Sequence, residues 1–328
     1  MRSYDALLLV SFGGPEGPDD VMPFLENVTR GRGVPRARLA QVAEHYHHFG
    51  GVSPINAQCR DLLAAITGDL AAHDVDLPVY WGNRNWHPFL TDTMRRMADD
   101  GVRHAAAFVT SAYGSYSGSA QYVEDIARAR AAVGERAPAV DKLRPYFNHP
   151  GFIDAVTDRA RDALTRARPG SRLVFTAHSI PEAMPGADGY VAQLSEASRL
   201  VAERVGAPAW DLVYQSRSGR PEQPWLEPDV CDHLATLRAK GVEGAVLVPV
   251  GFVSDHMEVM FDLDVEAAEK AAELGMTLVR APSAGTHPEF VAMVRELVAE
   301  AAGTGPARVT GDLPAAAHDR DIAATPAT

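Results

Sequence analysis

Cysteine is scarce in this chain: Cys59 and Cys231 are the two among 328 residues. Two thiols cannot by themselves build a disulfide framework or a four-thiolate cluster. No clustered Cys/His spacing suggests a structural zinc site either. Basic charge is also short: 31 Lys+Arg against 43 Asp+Glu leave a formal net charge of −12, which argues against nucleic-acid or anionic-membrane binding. Long hydrophobic runs are missing, and stretches such as Ala6–Val10 are far too short to span a bilayer. The N-terminal MRSYDALLLVSFGG has no long apolar core and no cleavage site, so it reads as a first strand and not as a signal peptide. The cytoplasm is the expected location. No repeat of 20–50 residues persists, which excludes a solenoid.

What is present fits an ordinary globular chain, 46% apolar and 23% charged, long enough for about two domains. Strand-like apolar runs occur at Asp5–Phe12, Leu77–Gly82, His104–Thr110 and Ala139–Leu143, then at Arg172–Ala177, Asp211–Gln215, Ala245–Val250 and Thr277–Ala281. Amphipathic helical patterns lie between them, for example Pro54–Ala72, Ala120–Ala132 and Phe152–Arg166. Alternating strands and helices predict a parallel α/β architecture. Four strands per set suggest two similar halves joined near Pro145–Pro150, so that residues 1–145 and 146–303 form the halves. A weak echo between Met94–Ser115 and Leu234–Asp255 repeats a helix–Gly–strand–loop plan. His-Pro pairs at His87, His149 and His287 are expected to open helices, with proline pre-organised at the first helical position. A last helix, Pro288–Ala302, is free to pack back on the first half, and the Ala/Pro/Gly/Asp-rich tail 304–328 reads as disordered.

Ligands in open α/β sheets sit beyond the carboxyl ends of the strands. There the sequence puts Ser11-Phe12-Gly13-Gly14-Pro15, a hydroxyl- and glycine-rich loop at Ser111–Ser119 followed by Tyr122, and His178-Ser179-Ile180-Pro181. The loops fit neither the P-loop nor the dinucleotide pattern. After Ala245–Val250 and a turn at Gly251–Ser254 comes a helical segment carrying Asp255, Glu258, Asp262, Glu266 and Glu269 at offsets of three and four. At about 100° per residue these acids share a stripe roughly 80° wide on an otherwise apolar helix. Such a stripe faces bulk water or a water-filled cleft. One imidazole opposite several carboxylates suits a divalent cation such as Fe²⁺, Zn²⁺ or Mn²⁺, or acts as an acid–base pair. A hydrolase built on these groups lacks an HExxH pattern or a nucleophile elbow.

The segments SFGGP (Ser11–Pro15), HFGGVSPIN (His48–Asn56), TAHSIP (Thr176–Pro181), YQSRSGRPEQPWLEPDV (Tyr214–Val230) and PVGFVSDHMEVMFDLDVE (Pro249–Glu266) resemble those of the ferrochelatase family, most of all its actinobacterial, coproporphyrin-using type. The resemblance covers about Tyr4–Ala301. It implies two Rossmann-like halves around a cleft, and insertion of Fe²⁺, a substrate, into coproporphyrin III with release of two protons. It implies that His178 and Glu258 face each other across the macrocycle as catalytic and metal-contacting groups. Asp262 and Glu266 correspond to a proton or metal path, with Asp255 and His256 beside it. Phe12, Arg30, Tyr46, Ser53 and Tyr122 fall at substrate-contacting positions, and the basic TRGRGVPRAR segment (Thr29–Arg38) favours a ring with four propionates. Phe12 stands where Firmicute relatives often have an iron-binding tyrosine, so only packing on the ring is expected of it. Actinobacterial relatives often hold a [2Fe–2S] cluster on C-terminal cysteines, but none follows Cys231, so no cluster is expected. A monomer is expected, with transient handover to neighbouring haem-pathway enzymes. Alternatives are a protoporphyrin IX ferrochelatase, another tetrapyrrole chelatase, or a non-catalytic haem carrier.

Overall fold

The structure, a computed structural model, describes residues 2–218 and 222–324. Gly219, Arg220 and Pro221 of the Tyr214–Val230 segment, and the last four residues of the tail, lie outside the described residues. Eight strands form where apolar runs were expected: β1 (Ala6–Ser11), β2 (Val79–Asn83), β3 (His104–Val109), β4 (Ala139–Lys142), β5 (Arg172–His178), β6 (Trp210–Gln215), β7 (Gly244–Val248) and β8 (Thr277–Arg280). They make two four-stranded parallel sheets, ordered β2-β1-β3-β4 and β6-β5-β7-β8. The central strands are buried on both faces, as continuous apolar runs require: Leu7, Leu8, Leu9 and Val10 are fully buried, and so are Val246 and Leu247. Each such side chain contributes about 1.5–3 kcal/mol by leaving water.

Between the strands run α1 (Pro18–Val28), α2 (Arg36–His48), α3 (Ile55–Ala72), α4 (Leu90–Asp99), α5 (Gln121–Val133), α6 (Pro150–Arg166), α7 (Ala187–Val205) and α8 (Val230–Ala239). The two sheets share one strand order, and the echoed segments occupy equivalent places in it, α4–β3 and α8–β7. The order reverses between β1 and β3 and between β5 and β7, so the clefts that bind ligands in such sheets lie at those strand ends. The last helix, α11 (Pro288–Ala302), packs against α6 on one side and against α3 of the first half on the other.

Two His-Pro pairs open helices as expected. His149 and His287 are N-caps whose Nδ1 atoms accept from the Gly151 and Glu289 amides at 3.1 and 3.3 Å. His87-Pro88 does not. The His87 carbonyl accepts from the side chains of Asn56 and Asn83, and the Pro88 carbonyl accepts from the Asn83 amide. That segment therefore bends back to a single parallel bridge between Asn83 and Phe89, and α4 starts only after Phe89.

The tail needs a correction too, because residues 304–324 lie on the body of the protein. Lys142 and Asp319 exchange backbone hydrogen bonds, and the Ile322 amide donates to Val140, so the tail pairs antiparallel with the open edge of β4. Ile322 is buried against the first sheet. Composition misled here because ion pairs supply what apolar side chains do not. Lys142, 1% exposed, meets Asp319 at 2.6 Å, and fully buried Arg144 bonds Glu300 at 2.8 and 3.1 Å and the Arg308 carbonyl at 2.9 Å. Burial alone would raise the Glu300 carboxyl, but hydrogen bonds from His318 and Arg144 outweigh it and hold it at about 2.

Candidate active site

The acidic segment is not one regular α-helix. A turn of helix, α9 (Met257–Val259), widens into a π-helix at Met260–Glu266 and returns to α-geometry in α10 (Ala267–Glu273). Bonding from i to i+5 changes the winding, and π segments recur at functional sites. A second π-helix, Tyr116–Ala120, takes up the end of the expected Ser111–Ser119 loop and leads into α5. Met257, Val259, Leu263, Ala267 and Ala271 are buried, as the apolar composition requires.

The strand end at β7 brings this segment against β5. The Gly251 amide donates to the Thr176 carbonyl at 3.0 Å, and a Cβ on Gly251 would lie 2.6 Å from that of Ala177. Only glycine allows so close an approach. His178 and Glu258 consequently face each other, Nε2 to Oε2 3.7 Å apart, with side chains 32% and 50% exposed. The His178 Nδ1 points at the Ser179 carbonyl, an acceptor only, so Nδ1 donates there and Nε2 is the nitrogen turned towards Glu258. Tyr190 donates to the His178 carbonyl at 3.1 Å.

Asp262 lies in the π-helix, four residues after Glu258, and is partly buried. Burial pushes its carboxyl up to about 7; the Ser216 hydroxyl and Gln215 amide oppose that rise, and the charges of Glu258 and Glu266 add to it. Glu266, on the exposed side, is raised by partial burial and by Asp229 and Glu269. His256 is lowered, first by burial and then by His178. Asp255 leaves the row: it precedes the helix, pairs with Arg280 at 3.0 Å and accepts from the Ser283 amide at 3.1 Å. Its own amide donates to Gln58 of α3 at 2.8 Å, which ties the acidic segment to the first half.

The five positions expected to touch substrate lie in the first half. Phe12 directly follows β1, is 37% exposed and meets Phe24 edge-on at 6.2 Å. Arg84 stands over the rings of Phe12 and Tyr122, at 5.8 and 4.5 Å, and is held by Asp125. Tyr122 is accordingly buried at the start of α5. Tyr46 is buried among Phe24 and Met257, its hydroxyl raised by burial and then by Glu258. Ser53 is buried against Gly14, and Arg30 is exposed in the α1–α2 loop. The structure thus joins Tyr46 to the acidic segment through Met257, and His45 stacks on Phe261 at 3.9 Å. Gln215 and Ser216, which hold Asp262, did not stand out in the sequence. The carboxyl-end rule applied to the strand at Asp211–Gln215 would have found them.

The ferrochelatase family model matches residues 4–302. The coproporphyrin III ferrochelatase of Nocardia farcinica is 59% identical over 90% of this chain and 88% of its own length. That of Mycolicibacterium smegmatis is 54% identical over 99% and 98%, and a ferrochelatase of Rhodopirellula baltica is 57% identical over 92% and 87%. Among solved structures, the cobalt complex of the sirohydrochlorin chelatase SirB from Bacillus subtilis matches with a TM-score of 0.54 and 14% identity over 92% of this chain and 96% of that one, a likeness of fold.

Proposed function

The chain belongs to the ferrochelatase family, and we propose that it inserts Fe²⁺ into coproporphyrin III between His178 and Glu258, with Asp262 and Glu266 as the path behind Glu258. A metal chelatase exchanges one divalent cation for the two pyrrole N–H protons of the ring. The observation that carries the assignment is the facing pair, an imidazole Nε2 and a carboxylate oxygen 3.7 Å apart.

A flat ring in contact on both faces needs roughly 7 Å between the flanking atoms, twice the ~3.5 Å contact distance. His178 and Glu258 therefore part by about 3 Å as the ring enters. Both side chains are open enough to solvent to swing. The Nε2 lone pair then accepts a pyrrole proton or meets the incoming metal, and both roles use the same atom. Carboxylate oxygens on the opposite face replace waters of Fe²⁺ one at a time. Asp262, at about 7, exists in both protonation states near neutral pH and passes protons outward to Glu266.

Coproporphyrin carries four propionates where protoporphyrin has two. The exposed arginines Arg30, Arg32, Arg36 and Arg38 give the lip of the first half a positive edge in an otherwise acidic protein. That edge and the names of the Nocardia and Mycolicibacterium relatives support coproporphyrin III. Phe12 packs on the ring without ligating iron. Cys59 and Cys231 are too few to supply the four thiolates of an iron–sulfur cluster by themselves, so the proposed reaction is routed through none. No helix among the described residues is long and apolar enough to cross a membrane. We place the enzyme in the cytoplasm as a monomer that hands its product on transiently. Anaerobic mixing with Fe²⁺ and either coproporphyrin III or protoporphyrin IX, followed by absorbance, tests this. Faster metallation of coproporphyrin is expected. Equal or inverted preference rejects the substrate, and no rate above background with either rejects the activity.

A further inference from the structure

We infer that Gln215 is a positioning residue that sets His178 and Glu258 against each other, an inference that rests on the chelatase role of that pair. Gln215 ends β6 and is the register partner of His178 on β5. Its backbone carbonyl accepts from the amide of Ser179 at 2.8 Å, which fixes the turn directly behind His178. Its side chain reaches the other wall. Nε2 donates to the Glu258 carbonyl at 3.2 Å and lies 3.4 Å from Asp262 Oδ2. One residue therefore ties the strand end that carries the imidazole to the first helical turn that carries the carboxylate.

Three further features make this more than incidental packing. Gln215 is 1% exposed, so its amide is held and not sampling solvent. Its Oε1 is buried with no hydrogen-bond partner among the described residues, an uncommon state that leaves one acceptor inside the acidic path. The next residue, Ser216, adopts φ 62°, a left-handed conformation seldom taken by residues other than glycine, and its hydroxyl donates to Asp262. The end of β6 is thus bent so that consecutive side chains both converge on Asp262.

The chemistry selects an amide at this position. Glutamate would bring a fourth carboxylate against Glu258, Asp262 and Glu266, and methionine would fill the volume with no N–H to give. Gln215→Met is accordingly the test. With coproporphyrin III and Fe²⁺ the variant is expected to lose at least about tenfold in kcat, because a small misplacement of facing groups is costly. KM for the porphyrin should stay within about threefold, since ring contacts are untouched. The pH dependence of kcat should move to higher pH, because Asp262 loses a donor that holds its carboxyl down. A folded Gln215→Met protein with kcat within about twofold of wild type and an unmoved pH profile overturns the inference. Where that variant does not fold, Gln215→Asn, one methylene short of Glu258, carries the same test, and wild-type kcat overturns it likewise. A wild-type enzyme without iron insertion would instead remove the chelatase premise.

Discussion

Replacing Asp262 by asparagine should stabilise the protein in alkaline buffer while slowing turnover. The Asp262 carboxyl sits at about 7 in the fold against an ordinary 3.8. A group raised on folding favours its protonated form, so its stabilisation is complete below about 4 and is lost as pH rises towards 7. Over that window the unfolded chain has released the proton and the folded one keeps it. Each pH unit then costs about 1.4 kcal/mol, so stability falls by about 3 kcal/mol between pH 5 and pH 8. Asparagine is neutral at both values and nearly isosteric, so the variant escapes that loss. For 328 residues the unfolding entropy is roughly 0.7 kcal/mol/K, and the gain in Tm over wild type should be about 4 °C larger at pH 8 than at pH 5. Calorimetry of both proteins at the two pH values measures this, and kcat with coproporphyrin and Fe²⁺ measures the relay. A Tm difference equal at both pH values would refute the buried, elevated carboxyl. Unchanged kcat would refute its part in proton transfer.

Other outcomes follow from the same geometry. His178→Ala removes the imidazole that faces Glu258 and should lower turnover by roughly 10²–10⁴-fold. Porphyrin binding, read by absorbance titration, should stay nearly intact, and wild-type turnover would exclude the role. Truncation after Gly303 strips Asp319 from buried Lys142, His318 from Glu300 and the Arg308 carbonyl from Arg144, and it bares the β4 edge. One uncompensated buried charge costs about 3–5 kcal/mol, so a clear fall in Tm and faster aggregation are expected. A truncated protein with wild-type Tm would show that the tail contributes nothing.

The fold was legible because its signals are local. Buried parallel strands are continuous apolar runs, and all eight appeared within a few residues of their final bounds. That His178 and Glu258 come together was expected from two sources, strand-end logic and family resemblance. The row behind them was only half legible. A stripe laid out at about 100° per residue presumes a regular α-helix, and the sequence gives no warning of a π segment at Met260–Glu266. Asp255 left the stripe because Arg280, some 25 residues on, captured it, and no local pattern announces that pairing. Gln215 was hidden for a similar reason. What its amide reaches, the acidic segment that follows β7, shows only once the strands of the second sheet are assembled. The tail misled in the opposite direction, because a segment poor in large apolar residues can still be fixed by backbone pairing and buried ions.

Two halves of one plan contribute opposite chemistry to the cleft. Beyond the first sheet stand Phe12, Ser53, Arg84 and Tyr122, with Arg30 on the exposed loop: rings, hydroxyls and cations suited to the face and propionates of a macrocycle. Beyond the second stand His178, Gln215, Glu258 and Asp262, suited to protons and a cation. On the proposed function this division separates binding from chemistry by chain half. Arg30→Ala should raise KM for coproporphyrin by up to about fivefold, the worth of one exposed ion pair of up to ~1 kcal/mol, and leave kcat near wild type. The same substitution should matter less with protoporphyrin, which offers half the propionates. The reverse pattern, kcat falling at constant KM, would mean that the loop governs the chemical step. The functional division between the halves would then be wrong, even though the strand order they share stands.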